Sequence, residues 1–521
     1  MSKIYRSLTV ILAAWLLVWL RLSWPAVQDD AFIHLRYAAN LLQHHMISYD
    51  GVHPDYGTSS LLYVWLLAGL RSVFTSPVLP RAVSSVFHLL LFVSLVWAFA
   101  RALRSAPKLA WGFALLLLAL LVTPMAVRWL DDGMETSLTL CLVALLAFSV
   151  SRLSHSEAVS NGSVAWLFLL GFVATLTRVE YLLLLGVASL TLFFARLSLP
   201  DEAGTQRGLS ARVRLAARCA APLLGSLLAG ALIFYTMHAL VPDTAIAKAD
   251  RHTAPLATVG AILSVLVSSM SFGALLLLFW LLTAIAVIAY KRRISLPILL
   301  ANSLFPITMM LAALRGQQVQ GIRYFVWTLL FPILWNTLEL RWSASEPAPS
   351  TARALRFATY GLAGALIVLM PIESVLLYGL FRARAHSLAE FRAQHLEQLS
   401  SMKLVAFDVG YIGYFTESPL CDMAGLVNGR ARASLTFHER VNLCAAEHPQ
   451  YAFVSRFSLG DLNNSLDLKG WSICSLYDFA NLRAADLHYL IASPAATPAV
   501  CAAAGNSPQL LEPVLHPATG P

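Results

Sequence analysis

The sequence predicts a polytopic α-helical membrane protein with a small extracytoplasmic α/β region at its C-terminal end. Three observations carry the architecture. Of 521 residues, 58% are hydrophobic and only 12% are charged, where a soluble domain carries roughly 25% charged residues. The mean hydropathy is +0.68, and apolar runs recur from Leu8 to Leu380, so the first two thirds of the chain is built to dissolve in a bilayer. After Leu380 no run is long enough to span, and Leu404 to Phe407 and Tyr451 to Val454 read as strands.

A soluble enzyme is excluded. The net charge of +9 comes from basic residues lying between apolar segments. That pattern reports topology, and no basic patch interleaved with aromatics points to nucleic acid.

The elements run in order from the N-terminus. Lys3 and Arg6 precede an apolar run from Leu8 to Leu20, and Arg21 follows without a small-residue cleavage site, the pattern of an uncleaved signal anchor. Arg101, Arg104 and Lys108, Arg152, Arg207 to Arg218, Lys291 to Arg293, and Arg341 with Arg353 mark cytoplasmic loops. Between them lie 11 expected crossings, near 8–24, 82–100, 109–127, 136–151, 164–177, 181–197, 219–241, 262–290, 296–314, 322–340 and 355–380. Parity then requires that Ser59 to Phe74 does not cross; with Trp65 and Arg71 it is re-entrant or lies along the surface. The first outer loop is accordingly long, residues 25–81, and long loops carry function.

The chain divides into a transmembrane part, 1–380, and a C-terminal part, 381–521, that parity puts outside. Cys421, Cys444, Cys474 and Cys501 fall in that second part, where one or two disulfides are expected. Cys141 and Cys219 read as small buried apolar residues. No CxxC or HxxxH spacing and no internal repeat occurs.

Polar clusters gather at the outer ends of the spans. The first is QDDAFIHLRYAAN, Gln28 to Asn40, where Asp29 and Asp30 either cap a helix or supply a general base to an acceptor hydroxyl. A helix from Asp30 brings Ile33 and Tyr37 to one face, with Arg36 beside them. The others are Asp131 to Thr136 with Glu135; Thr177 to Glu180 with Arg178; PDTAIAKADR with Lys248 and Arg251; and QQVQGIRY with Arg323. Ionisable groups at membrane depth are costly, and cations on the outer side run against the positive-inside bias. An anionic ligand supplies the reason, because Arg offers a fork to phosphate and Lys a point charge. A base beside a phosphate clamp fits transfer of a group away from a phosphate leaving group.

Taken in order, QDDAFIHLRYAAN, GTSSLLYVWLLA, DGMETSLT, LTRVE, PDTAIAK, GIRYFVW, VAFDVGYIGYF and CDMAGLVN resemble the terminal arabinofuranosyltransferases of the mycobacterial AftB type and their relatives, of the GT-C class, over about Gln28 to Asn428. The resemblance implies an enzyme of the bacterial cytoplasmic membrane, its N-terminus cytoplasmic. Such an enzyme moves a sugar, arabinofuranose by analogy, from a polyprenyl-phosphate donor to an acceptor outside: a cell-envelope glycan, a lipopolysaccharide or a surface protein. It assigns catalysis to Asp29 and Asp30. Donor phosphate falls to Arg36, Arg178, Lys248 and Arg323, and substrate contacts to Tyr37, Tyr56, Glu135, Glu180, Asp243 and Thr244. Asp243 stands where the family carries Asn, and Asp55-Tyr56-Gly57 where relatives carry Glu-Gly-Tyr. No cofactor is implied beyond a divalent cation that acids alone could hold, without a dedicated oxygen cage. The competing class is a transporter or flippase of lipid-linked sugar, whose signature would be charges at mid-span and matching broken helices.

Overall fold

The computed structural model describes residues 3–156, 159–198, 209–249, 254–292, 294–317, 321–342, 347–479, 487–511 and 514. Arg207, Arg251 and Arg293 lie outside the described residues, as do residues 318–320 of the last polar cluster.

The described chain is mostly helical. It opens with α1 (Lys3–Leu22), then α2 (Asp29–His44) and α3 (Leu61–Arg71), then α4 (Leu79–Ala102). The next stretch holds α5 (Lys108–Leu121), α6 (Pro124–Leu130), α7 (Thr136–Ser154), α8 (Asn161–Thr177) and α9 (Tyr181–Leu197). After these come α10 (Leu209–Cys219), α11 (Ala221–Met237), the short α12 (Asp243–Ala247), α13 (Pro255–Ser268), α14 (Leu276–Lys291), α15 (Leu296–Leu314) and α16 (Val326–Glu339). The 45-residue α17 (Pro349–Ala393) closes the helical part. Among the described residues, six helices are long and apolar enough to cross a membrane; counting α5 with α6, bent by 66°, and α10 with α11, bent by 50°, as single spans gives eight. The chain is therefore a multi-pass membrane protein.

Besides the bend between α5 and α6, which breaks the expected span 109–127, two features of this part depart from the expected spans. The stretch 262–290 is not one helix: α13 stops at Ser268, Met270 takes a φ of 42°, and a π turn at Ser271–Leu275 leads into α14. The physical reason lies about a hundred residues away, where Glu373 of α17 accepts a 2.8 Å hydrogen bond from the Ser271 amide and satisfies the backbone that the break exposes. In turn, α17 runs through Leu380 without a break, so the helix itself links the membrane part to the C-terminal sheet. The apolar stretch Ser59 to Phe74 folds as α3, 11 residues, or about 16 Å of helix against a hydrocarbon core of about 30 Å. Ser60 caps it by accepting from the Tyr63 amide, and the Tyr63 hydroxyl reaches the Gly133 carbonyl at 2.8 Å.

Between spans, apolar burial gives little driving force in lipid, so close packing and buried hydrogen bonds hold helices together. The α8–α11 seam shows this. A Cβ on Gly171 or Gly225 would collide with the facing backbone at Pro222 or Phe168, and between them Thr175 and Ser226 share a 2.6 Å hydrogen bond.

Beyond α17 lies a mixed sheet of β1 (Leu404–Ala406), β2 (Leu420–Asp422), β3 (Tyr451–Ser455), β4 (Ser472–Asp478), β5 (Leu487–Ala492) and β6 (Gln509–Leu510). The strand order is β2-β1-β3-β5-β4-β6. Its first three strands are parallel, Leu404 lying opposite both Leu420 and Tyr451, and the rest are antiparallel. A short helix, α18 (Gly410–Thr416), follows β1. Phe391, on the last turn of α17, stacks on Tyr477 at 4.4 Å and on Tyr411 at 5.3 Å, fastening the sheet to the membrane part. Cys421–Cys444 and Cys474–Cys501 form two disulfides here, while Cys141 is half-buried and Cys219 buried.

Candidate active site

Where α2, α8, α9, α11, α12, α15 and the approach to α16 converge, they enclose a cavity of about 770 Å³. Its two ends differ in chemistry. One wall is apolar, built from Leu182 and Leu183 of α9, Leu227, Ala231 and Phe234 of α11, and Leu311 of α15. Leu227, Phe234 and Leu311 are also exposed, so this side is open at the protein surface. The other end carries Asp30, His34, Arg178, Lys248, Arg323 and Tyr324.

Helical geometry explains what α2 contributes. Asp30, Ile33 and His34 share one face at spacings of three and four and line the cavity. The Asp30 carboxylate pairs with Arg323 Nη2. Burial pushes its pKa up, but Arg323 and Lys248 outweigh that and hold it below the usual carboxylate value. The His34 ring is fixed on both sides, Nδ1 2.8 Å from Thr58 Oγ1 and Nε2 3.3 Å from Glu135 Oε2.

Tyr324 is the centre of the cation cluster. Arg178, Lys248 and Arg323 each stand over its ring, at 5.4, 5.7 and 5.3 Å. Lys248 Nζ also donates to the tyrosine hydroxyl at 3.1 Å. Arg178 donates from Nη1 to Glu135 at 3.0 Å and from Nε to Glu180 at 2.6 Å. Glu135 is wholly buried; burial would raise its pKa, but His34 and Arg178 hold it far below the usual range. Asp132 backs Arg323 from behind, 3.6 Å from Nη1, and Gln28 bridges the two in the amide orientation that satisfies both.

The structure thus brings Asp30, Arg178, Glu180, Thr244, Lys248 and Arg323 to one cavity. Glu135 sits one layer deeper, behind Arg178, with Ser59 donating to it at 3.2 Å. The remaining sequence candidates face elsewhere. Asp29 accepts from the amides of Gly410 and Tyr411. Arg36 bonds the Tyr49 carbonyl and Glu417. The Tyr37 hydroxyl bonds Asp55 and the Gly57 amide, off the cavity, although Tyr37 was expected on the Asp30 face. Tyr56 and Asp243 pin α12 to the loop before α3 through two hydrogen bonds, Asp243 N to Tyr56 O at 2.8 Å and Tyr56 N to Asp243 Oδ2 at 3.3 Å.

The polar end also holds His34, Tyr324 and Arg315, which were not singled out from sequence. The first two lie inside quoted motifs, and their i+4 and i+1 spacing from Asp30 and Arg323 was the available signal. Arg315, the C-cap of α15, is an exposed cation that lines the cavity without an ionic or hydrogen-bonding partner among the described residues. No group of three or more His, Cys, Asp or Glu that could hold a metal occurs among the described residues. Asp29 is taken up by the Gly410 and Tyr411 amides, while Asp30 and Asp132 both face Arg323.

Comparison with known proteins adds the fold. Residues 380–497 match a family described as a domain of unknown function, DUF8728. No curated protein matches the sequence. The crystal structure of ArnT from Cupriavidus metallidurans bound to undecaprenyl phosphate is similar to the chain with a TM-score of 0.51 at 15% identity, covering 92% of this chain and 97% of that one. Archaeal oligosaccharyltransferase AglB from Archaeoglobus fulgidus, in complex with an inhibitory peptide and a dolichol-phosphate, gives a TM-score of 0.46 at 12% identity over 94% of this chain and 74% of that one. At such identity the likeness to ArnT shows architecture alone: the chain has the GT-C fold.

Proposed function

We propose that this chain is an integral membrane glycosyltransferase that moves a sugar from a polyprenyl-phosphate donor to an acceptor outside the bacterial cytoplasmic membrane. One observation carries the reading. A carboxylate, Asp30, and a cation cluster, Arg178, Lys248 and Arg323 around Tyr324, meet at the polar end of a cavity whose other side is apolar and open at the surface. That is the chemistry of an amphiphile with one anionic group. The lipid tail lies along Leu227, Phe234 and Leu311, and the phosphate meets Lys248 and Arg323.

In the reaction, the acceptor oxygen attacks C1 of the sugar and the C1–O bond to phosphate breaks. Polyprenyl phosphate leaves with the bonding pair, and the acceptor proton passes to Asp30. Charge grows on the leaving phosphate, where fixed cations lower the barrier most. Arg323 has a double duty, because before donor binds it is the partner of Asp30. Phosphate competes for the same guanidinium, so donor binding loosens the hold on Asp30 and makes its carboxylate a better base when an acceptor is to be deprotonated.

The donor sugar is arabinofuranose on the strength of the motif resemblance, and the acceptor is a cell-envelope glycan. The N-terminus is cytoplasmic. The two disulfides support a C-terminal part, residues 381–521, outside the membrane, since such bonds persist in oxidising compartments. The test is purified protein with radiolabelled polyprenyl-phosphate arabinofuranose and, in parallel, the hexose analogues. Release of polyprenyl phosphate with label passing to acceptor is the expected result. Binding of the lipid without any C1–O cleavage would contradict an enzyme and leave a carrier.

A further inference from the structure

We propose that the C-terminal sheet region, most of which matches a family of unknown function, is a working part of the catalytic centre, and that Asp29 is the positioning residue through which it aims Asp30. The proposal rests on the glycosyltransfer reading above.

Adjacent residues on a helix point about 100° apart, so the twin aspartates of α2 cannot both face the cavity. Asp30 does; Asp29 turns to the sheet region. Its Oδ2 accepts from the Gly410 amide at 2.9 Å and its Oδ1 from the Tyr411 amide at 2.7 Å. Both are orphan donors at the start of α18, which a carboxylate satisfies well. The backbones themselves touch: a Cβ at Gly410 would overlap the Asp29 carbonyl, so only glycine allows this approach.

The surroundings repeat the grip. Tyr411 donates its hydroxyl proton to the Val27 carbonyl at 2.5 Å, about one turn before Asp30. Tyr49 donates to the Val409 carbonyl at 2.6 Å, Arg36 pairs with Glu417 at 2.9 Å, and Arg71 donates to the Tyr414 hydroxyl at 2.9 Å. Phe32, between the aspartates and Arg36, packs its ring 4.5 Å from Tyr411. All these contacts join the first outer loop to one short segment, residues 409–417.

A second loop of the same region reaches the cavity itself. Asp422 gathers the amides of Ala424, Leu426 and Val427 on its carboxylate, and Leu426 so held lines the cavity. Gly57, another lining residue, lies against the Leu426 carbonyl with no room for a Cβ. The region therefore contributes Leu426 to the cavity lining and, through Asp29, fixes the first turn of the helix that carries Asp30. A displacement of about 1 Å at a reacting group costs roughly 10²-fold in rate.

The experiment compares full-length Asp29→Asn, Gly410→Ala and Asp30→Asn with wild type, measuring kcat, donor KM, undecaprenyl phosphate binding, and amide exchange across residues 29–40 and 409–416. Positioning predicts that Asp29→Asn and Gly410→Ala lower kcat by about 10²-fold with donor KM and lipid binding within twofold, and speed exchange in both segments. Asp30→Asn is expected to lose turnover with exchange unchanged. Wild-type kcat in Gly410→Ala, lipid binding lost in step with kcat, or unchanged exchange in Asp29→Asn would each overturn the proposal. If wild type transfers no sugar, the enzyme reading fails by itself. The exchange measurements still decide the docking, with unchanged exchange at residues 29–40 in Gly410→Ala contradicting it.

Discussion

Arg323 and Asp30, 293 residues apart in sequence, form an ion pair at the polar end of the cavity, the guanidinium buried and the carboxylate half-buried, and the free side of the same guanidinium leans on Asp132. Taking a guanidinium out of water is expensive, and a largely buried pair often does no better than apolar packing. Its retention at a cavity wall fits a group that exchanges partners when an anion arrives.

Replacing Asp30 by Asn removes the proton acceptor and leaves the cations in place. Turnover is expected to fall by at least about 10²-fold, while undecaprenyl phosphate binding is retained. Lipid-phosphate release and equilibrium binding on the same preparation check both halves.

Tyr324→Phe keeps the ring against which Arg178, Lys248 and Arg323 stand and removes only the hydroxyl to which Lys248 donates. Undecaprenyl phosphate affinity is expected to stay within a few-fold, and equilibrium binding is the measurement.

Glu135 holds His34 and Arg178 from behind, wholly buried. Because its pKa is depressed in the fold, the stability it contributes is complete above the ordinary carboxylate value and lost only as pH falls through the lowered folded value. Glu135→Gln leaves Arg178 with one carboxylate fewer and should cost about 3 to 5 kcal/mol, seen as a lower thermal midpoint at neutral pH.

Arg315 has no partner among the described residues and is exposed. Its contribution to an anion is accordingly screened by water and salt. Arg315→Gln should raise donor KM about five-fold at low ionic strength, equivalent to roughly 1 kcal/mol, with the effect fading in high salt.

Much of the architecture was legible because its signals are local. Apolar runs and basic loops mark most of the spans, strand-like stretches announced β1 and β3, and four cysteines outside the spans foreshadowed two disulfides. The break at Met270 was not legible, since the glutamate that satisfies it sits on α17. The same distance effect divided the candidate site. Charge placed Asp30, Arg178, Lys248 and Arg323 at one level of the membrane, and they share the cavity. Asp29 and Arg36 are charged just as Asp30 and Arg323 are, but their partners, Gly410, Tyr411 and Glu417, lie nearly four hundred residues on. Helical phase tells that neighbours diverge; it cannot say which of them a later domain will claim. Tyr324 hid for another reason, because an aromatic beside an arginine reads as an interfacial anchor until three cations are seen around it.

The most direct measurement is a density map of the protein with undecaprenyl phosphate bound. The account predicts the phosphate within hydrogen-bonding distance of Lys248 and Arg323, the tail along Leu227 and Phe234, and the Asp30 carboxylate separated from Arg323. A phosphate bound away from this cluster, with the Asp30–Arg323 pair intact, would contradict it.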